Sequence, residues 1–391
     1  MTYIENFKTL KDKSLNILKS KFPNIGNNGL FGDNYKLIAI IIVIIVLLII
    51  CIPIFYISYK TTVLKKSQIT KMNNNYSISP SISSININNT NYKYLLRDYY
   101  IKSAYNACSA GNFKNDYVNI DALKICIKQG FRMLDFEIYS INDNPVVSTS
   151  SIDNYRTKET YNYIEFSKII NIINNYAFSS GTSPNPNDPL IIHLRIKSNN
   201  KKIYSKMSEI IYNNLEKKIL GPKYSYENNG KNLGKVKLSE LTGKIIFSVD
   251  KTNSSFEDTP FNEYVNIASH THLLRLYTYN DIYNINNIDE LTNYNKEFMT
   301  ICIPNLSINV NNYSSTLPMK YGCQFVAMSA QGNDNYIKQY NDKFNKAGSA
   351  FILKPKNLRY IPVTIPPPKL PSKKLSYESR NISSSYYNFK I

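Results

Sequence analysis

Two features of the sequence predict an α/β domain carried behind a single membrane-spanning helix. One is an unbroken apolar run near the N-terminus; the other is a stretch of about 250 residues in which short apolar runs alternate with amphipathic helical patterns. The runs FRMLDFEI, PLIIHLRI, GKIIFSV, KEFMTICI, CQFVAM and AFILK read as buried strands. The segments IDALKICIKQG and KKIYSKMSEIIYNNLEKKI place apolar residues at helical spacing. Strands alternating with helices build a parallel sheet, either closed as a barrel or open and doubly wound. No internal repeat is visible.

Leu37 to Ile57 reads LIAIIIVIIVLLIICIPIFYI, 21 residues without a charge. About 20 such residues in a helix span the hydrocarbon core of a bilayer. A core helix would carry a polar face, and a signal peptide has an apolar region of only about 7–15 residues. Tyr56 and Tyr59 stand where an interfacial aromatic belt would be. Close to the run, the N-terminal flank offers only Lys36, whereas the C-terminal flank offers Lys60, Lys65, Lys66 and Lys71. This bias leans the C-terminal domain toward the cytoplasm. Sequons such as Asn253-Ser254-Ser255 argue the reverse, but an Asn-rich chain generates them by chance.

The remaining organisation follows in order. Residues 1–36 are a short polar segment with a helical pattern around Ile4 to Lys19. Residues 58–92 are rich in Ser, Asn and Lys and read as a flexible stalk. The α/β domain occupies 93–360, and a basic, Pro-containing tail, read as disordered, covers 361–391.

The 391 residues carry a formal charge of +19. That charge suits an acidic partner, such as anionic lipid headgroups or nucleic acid. Heavy use of Asn, Ile, Lys and Tyr with no Trp has a plainer source in AT-rich coding. Cys51, Cys108, Cys126, Cys302 and Cys323 are odd in number and form no CxxC, so a secreted disulfide framework is not indicated and buried thiols are expected. His193, His270 and His272, the three histidines, make no HExxH or zinc-type cluster.

Three blocks then narrow the fold. Ser103 to Gly111 (SAYNACSAG) is similar to the SSHNTYLTG segment that opens the catalytic barrel of the phosphoinositide-specific phospholipases C. Gly130 to Val147 (GFRMLDFEIYSINDNPVV) resembles the GCRxxELDxW…EPVV stretch of that family's X half. Asn312 to Gln331 (NYSSTLPMKYGCQFVAMSAQ) and Lys346 to Arg359 (KAGSAFILKPKNLR) resemble its Y half. The blocks stand in family order across roughly residues 95–360. The resemblance implies a TIM-type (β/α) barrel with an X half over about 93–251 and a Y half over about 261–360. Its site would lie at the C-terminal ends of the strands. Only a short stretch near Thr252 to Tyr264 is left for the regulatory linker of signalling members.

The resemblance also implies a chemistry, and the residues that should perform it are altered. Members cleave the glycerol–phosphate bond of inositol lipids with two histidines, suited to proton transfer near neutral pH. Those positions fall on Tyr105 and Thr149. The family's calcium ligands fall on Asn106, on Asp135 and Glu137 with the acids exchanged, and on Arg195 in place of a glutamate. A guanidinium cannot ligate a cation; the expectation is that it pairs with Asp135 or Glu137, and metal-independent bacterial members also carry an arginine there. The substrate-binding lysines fall on Ser248 and Asp250, and the arginine and tyrosine on Ile301 and Ile303.

The expected protein is therefore a membrane-anchored, phospholipase C-like barrel, catalytically inactive and serving as a lipid-binding or structural module. No cofactor is expected, with calcium the candidate if the acids still hold it. Expected partners are the bilayer and its anionic or inositol phospholipids, not nucleic acid. The alternative is an active phosphodiesterase with a non-standard acid/base pair drawn from His193, Tyr105 and Arg195. An imidazole within reach of Asp135 or Glu137 would favour activity. A mouth lined by Tyr105, Thr149, Ile301 and Ile303, with Arg195 tied to the acids, would favour the inactive reading.

Overall fold

The computed structural model describes residues 20, 35–153, 157–362, 366–369 and 377–391. The helix expected over Ile4 to Lys19 lies outside them. Helix α1 (Tyr35–Ser58) carries the apolar run with its side chains exposed, as a lipid-facing helix would. It continues through a π-helical turn (Tyr59–Leu64) into α2 (Lys65–Asn75), with right-handed helical backbone at Ser58, Leu64 and Lys65.

The α/β domain begins with β1 (Tyr99–Ala104), followed by α3 (Ile120–Lys128) and β2 (Met133–Ile141). Strand β2 turns back into an antiparallel pair, β3 (Asn144–Ser148) and β4 (Ile164–Glu165), which sits outside the barrel wall. Then come α4 (Phe166–Tyr176), β5 (Leu190–Ile196), α5 (Lys201–Leu215), β6 (Ile245–Asp250), β7 (Val265–Ser269) and β8 (Leu274–Thr278). The second half adds α6 (Ile288–Glu297), β9 (Met299–Ile303), β10 (Phe325–Met328), α7 (Asn335–Ala347) and β11 (Phe351–Leu353).

Eight strands run parallel in the order β7-β6-β5-β2-β1-β10-β9-β8. The circle is complete except for a ladder between β7 and β8, so the sheet is a nearly closed TIM-type barrel. Of the two architectures that alternation alone allowed, the barrel is the one formed. Every strand read from the sequence is present. Strands β7 and β8 carry no apolar run that marks them in the sequence, and AFILK forms β11, which pairs antiparallel with the start of β1 rather than joining the wall.

Register fixes which side chains enter the barrel. Asp135 pairs with His193 and His193 with Ser248, so these three share the interior face, as do Glu137 and Arg195 one layer higher. Cys108, Cys126, Cys302 and Cys323 are buried and free, and Cys51 is exposed on α1.

The Y-half motifs hold the wall together. Gln324 is fully buried; its Nε2 donates to the carbonyls of Arg97 (2.9 Å), Asn295 (3.0 Å) and Phe298 (2.9 Å), and its Oε1 accepts from Thr300 N (2.9 Å). Lys354 donates to Asn295 O at 2.7 Å, and Tyr313 Oη donates to the carbonyls of Cys302 (3.0 Å) and Ala327 (2.9 Å).

Two segment assignments are corrected. The stalk is not flexible over its length. Met72 is 1% exposed, Tyr76 Oη donates to Ala330 O (2.8 Å), and Ile82 and Ile85 are buried. Apolar side chains spaced through a Ser/Asn-rich segment bury themselves in the groove beside α3, which composition alone hides. The tail contains an exposed hairpin of β12 (Asn381–Ser383) and β13 (Asn388–Lys390) in place of continuous disorder; residues 363–365 and 370–376 lie outside the described ones.

Replacing Gln324 by Ala strands three buried carbonyls and one amide at once. The expected cost is about 3 kcal/mol, given about 1–3 kcal/mol for each unsatisfied buried group and partial relaxation. Urea unfolding of the chain in detergent should show a lower midpoint with an unchanged slope.

Candidate functional site

The C-terminal ends of β1, β2 and β5 bring together the positions expected to hold a cation. Asn106 follows β1 with φ +44, a left-handed conformation that asparagine tolerates better than most residues. This turns its side chain to donate from Nδ2 to Glu137 Oε1 (3.2 Å), while its backbone N donates to Asp135 Oδ2 (3.1 Å). Arg195 lies among them. Its Nε and Nη2 donate to Asp135 Oδ1 (3.0 Å) and Oδ2 (2.7 Å), a bidentate pair. Its Nη1 donates to Glu137 Oε1 (2.9 Å) and Nη2 also to Asn106 Oδ1 (3.2 Å).

The donor set does not fit calcium. Asp135, Glu137 and Asn106 Oδ1 already accept from a guanidinium, and a divalent cation among them would face a fixed positive charge. Among the described residues no group of three or more His, Cys, Asp or Glu side chains is arranged for a metal ion.

His193 completes the cluster from below. Its Nδ1 lies 2.8 Å from Asp135 Oδ1 and its Nε2 3.0 Å from Ser269 Oγ, and the ring is fully buried. An imidazole does reach Asp135, but both ring nitrogens have partners and neither meets solvent. Burial alone would raise the Asp135 carboxyl; the Arg195 charge and the His193 and Arg195 hydrogen bonds outweigh it and hold the group well below the usual carboxylate range. Arg195 moves up despite its burial because Asp135, Tyr105 and Glu137 surround it.

The two positions implied for acid/base histidines are closed. The Arg195 guanidinium carbon sits 4.6 Å from the Tyr105 ring centroid, and Phe113 meets that ring edge-on at 5.5 Å. Burial pushes the Tyr105 phenol further above its already high ordinary value. Thr149 Oγ1 donates to Phe113 O (3.0 Å). On the far side Ile301 and Ile303 are buried core residues, and Ser248 Oγ is buried without a hydrogen-bond partner. No residue at any of these ten positions, Asp250 included, is more than 5% exposed.

Sequence reasoning missed a second pairing besides that of His193 with Ser269. His270 follows β7 with φ +58, and its Nδ1 lies 2.8 Å from Oδ1 of Asp250, which also accepts from Thr252 N (3.0 Å). The His270 ring stays 37% exposed at the strand ends. Burial would raise Asp250, but the His270 hydrogen bond, the Thr252 amide and nearby imidazoles hold it below the usual range. The strand-end position of Asp250 was legible; that a loop residue some twenty positions later folds back onto it was not.

Residues 92–251 match the family described as phosphatidylinositol-specific phospholipase C, X domain, and residues 247–357 match its Y domain. The solved structure of PLC21 from L. pealei superposes with a TM-score of 0.58 at 16% identity, covering 69% of this chain and 38% of that one. PLC21 from S. officinalis gives 0.56 at 16% identity with the same coverage. A Ca2+-dependent phosphatidylinositol-specific phospholipase C from Streptomyces antibioticus gives 0.41 at 10% identity, covering 66% of this chain and 98% of that one. The chain thus spans about 38% of the length of the PLC21 structures, and at these identities the likeness is one of fold. Among curated proteins no sequence matches.

Removing the guanidinium should be costly in a way that pH reveals. Asp135 sits below its ordinary value in the folded protein, so its contribution is full above about pH 4 and fades as pH falls through the folded value. In Arg195→Met the buried carboxylates lose their charge partner, and the protein should be about 3–5 kcal/mol less stable at pH 7. Desolvation would then push Asp135 up, so the deficit relative to the unmodified chain should shrink between pH 7 and pH 5. Urea unfolding at those two pH values measures it; an unchanged deficit would refute the charge account.

Proposed function

We propose that this chain, which belongs to the phosphatidylinositol-specific phospholipase C family, is a membrane-anchored member that does not run the family's two-histidine reaction and serves as a lipid-binding or structural module. The observation that carries the reading is the buried Arg195 cluster capped by Tyr105. The place where a cation and a phosphate would meet is occupied by a guanidinium salt-linked to Asp135 and Glu137 and sealed from solvent. No group at the Tyr105 or Thr149 positions can take up and return a proton near neutral pH. Anchoring rests on the uncharged length of α1 and its exposed surface, and the lysine bias after it leans the barrel toward the cytoplasm. The partners proposed are the bilayer and its anionic or inositol phospholipids.

A second reading, an active phosphodiesterase with a relocated acid/base group, is favoured by the His270–Asp250 pair. A buried carboxylate fixing one nitrogen of a solvent-reachable imidazole is the arrangement a general base uses. His193, by contrast, is shut off on both nitrogens.

The test is hydrolysis of phosphatidylinositol and its bisphosphate by the full chain in vesicles, with calcium and with a chelator. The expected outcome is no turnover in either condition, with Tyr105→His/Thr149→His assayed alongside. Turnover by the unmodified chain would overturn the first reading, and its loss in His270→Gln would assign it to the second.

A further inference from the structure

The path of residues 58–85 has a consequence for how the barrel meets its membrane. Helix α1 does not end at the apolar run: the backbone stays helical through the π turn and α2, and α2 lies against the barrel. From the membrane side downward, Lys65 lines a cavity with Val118, Asn119 and Tyr163. Gln68 donates to Asp116, in the loop that leaves the C-terminal end of β1. Gly111 in the same loop permits this approach, since a Cβ there would collide with both the Gln68 and Asp116 side-chain ends. Met72 is buried, and Tyr76 Oη reaches Ala330 O, just past the C-terminal end of β10.

The chain then descends to the opposite end of the barrel. Gln129 donates to Ile78 O (3.4 Å), and Ile85 N donates to Asp188 Oδ1 (2.7 Å), two residues before β5 begins. The helix therefore approaches from the strand-end side. At 1.5 Å per residue, the end of α1 at Ser58 lies only about 15 Å along the helix from Gln68. The Lys60 ammonium is among the charges acting on the Tyr117 phenol, a rim residue that is itself raised by burial.

We propose that the helix from Tyr35 to Asn75 is a rigid strut that seats the C-terminal rim of the barrel flat on the leaflet in which α1 is embedded. The occupant of the rim surface is that lipid leaflet, not a second protein. This rests on the membrane-anchored reading above. Apolar side chains stand on the loops it would press inward: Ile152 after β3, Tyr161 beside Tyr117, and Leu306 and Ile308 after β9, each at least 45% exposed. Ile308 O accepts from Phe113 N (3.0 Å), tying that loop to the one the strut grips. Interfacial side chains of this kind sink about 5–10 Å into the headgroup boundary. A partner for the rim must then come from the same membrane.

The test uses the full chain in vesicles with Cys51→Ala as background, since the other cysteines are buried. An environment-sensitive fluorophore is placed on Ile308→Cys, on Ile152→Cys, and on Ile87→Cys at the opposite end, and quenching by shallow brominated lipids is read. The expected result is several-fold stronger quenching at positions 308 and 152 than at 87. A Gly-Ser insertion between Leu64 and Lys65 should bring the rim positions down to the level of 87. Equal quenching at all three in the unbroken chain would overturn the proposal, as would rim quenching that survives the insertion. Burial of the rim labels in a lipid-free dimer would also overturn it, by assigning the rim to a second copy. Carbonate extraction is run first. Release from the vesicles would remove the anchored reading and the strut with it, whereas an integrated chain with unquenched rim labels would sink the strut alone.

Discussion

A single buried guanidinium sets the character of the barrel's C-terminal end. Two carboxylates at successive interior positions of β2 are tolerable there only if something neutralises them, because isolated charges in such a site would give up their protons or destabilise the fold. A dissociable cation does this conditionally, and an arginine does it permanently. Once Arg195 bonds to Asp135 on two oxygens and to Glu137 on one, no open coordination position is left to draw a phosphate inward. Tyr105 can then lie across the guanidinium face, Phe113 against Tyr105, and Thr149 under Phe113. Each closes space that an open site would need, and each is compatible with the others because the charge beneath is already satisfied.

The Y-half motif side chains answer to backbone rather than to a ligand. Gln324 bonds four backbone groups contributed by the starts of β1 and β9 and the end of α6. Lys354 is buried among carbonyls, its pKa pushed down to about 7 by desolvation, and donates to Asn295 O and Gly322 O. Tyr313 bridges carbonyls of β9 and β10. Losing any of these unpairs several buried groups at once, so fold and chemistry are under separate constraints. The wall is held by these backbone-bonded side chains whatever residues face its interior, here Ile301, Ile303 and Ser248.

The same separation explains what the sequence made legible. Strands with continuous apolar runs, such as β5 and β6, announce themselves because both faces are buried. VNIAS and LRLYT are short, interrupted by polar residues, and joined without a helix, so β7 and β8 went unmarked even though they flank the unpaired seam. Among the ten site positions, motif alignment alone indicated the strand or strand end to which each belongs. It could not indicate that His193 would be capped from β7, or that His270 would return to Asp250, because both pairings join segments with no shared motif. The stalk was misread for a related reason: Met72, Tyr76, Ile82 and Ile85 are isolated apolar residues in a polar segment, and only a groove beside α3 gives them a destination.

Closing the interior and fixing the helix to the rim act in the same direction. An enzyme that must extract a lipid headgroup, turn it over and release the product needs an accessible mouth and freedom to approach and leave the surface. Here the interior is occupied by a satisfied ion cluster, and the helix that continues from the apolar run packs beside it through Gln68, Met72 and Tyr76. Neither feature requires the other sterically. On the proposed reading they leave a basic body held at one orientation on a membrane, with the exposed His270 imidazole, fixed by Asp250, as a remaining group suited to proton transfer at the strand ends. The His270–Asp250 pair is therefore the point on which binding module and catalyst diverge, since it alone among the strand-end groups described here combines a fixed orientation with access to solvent.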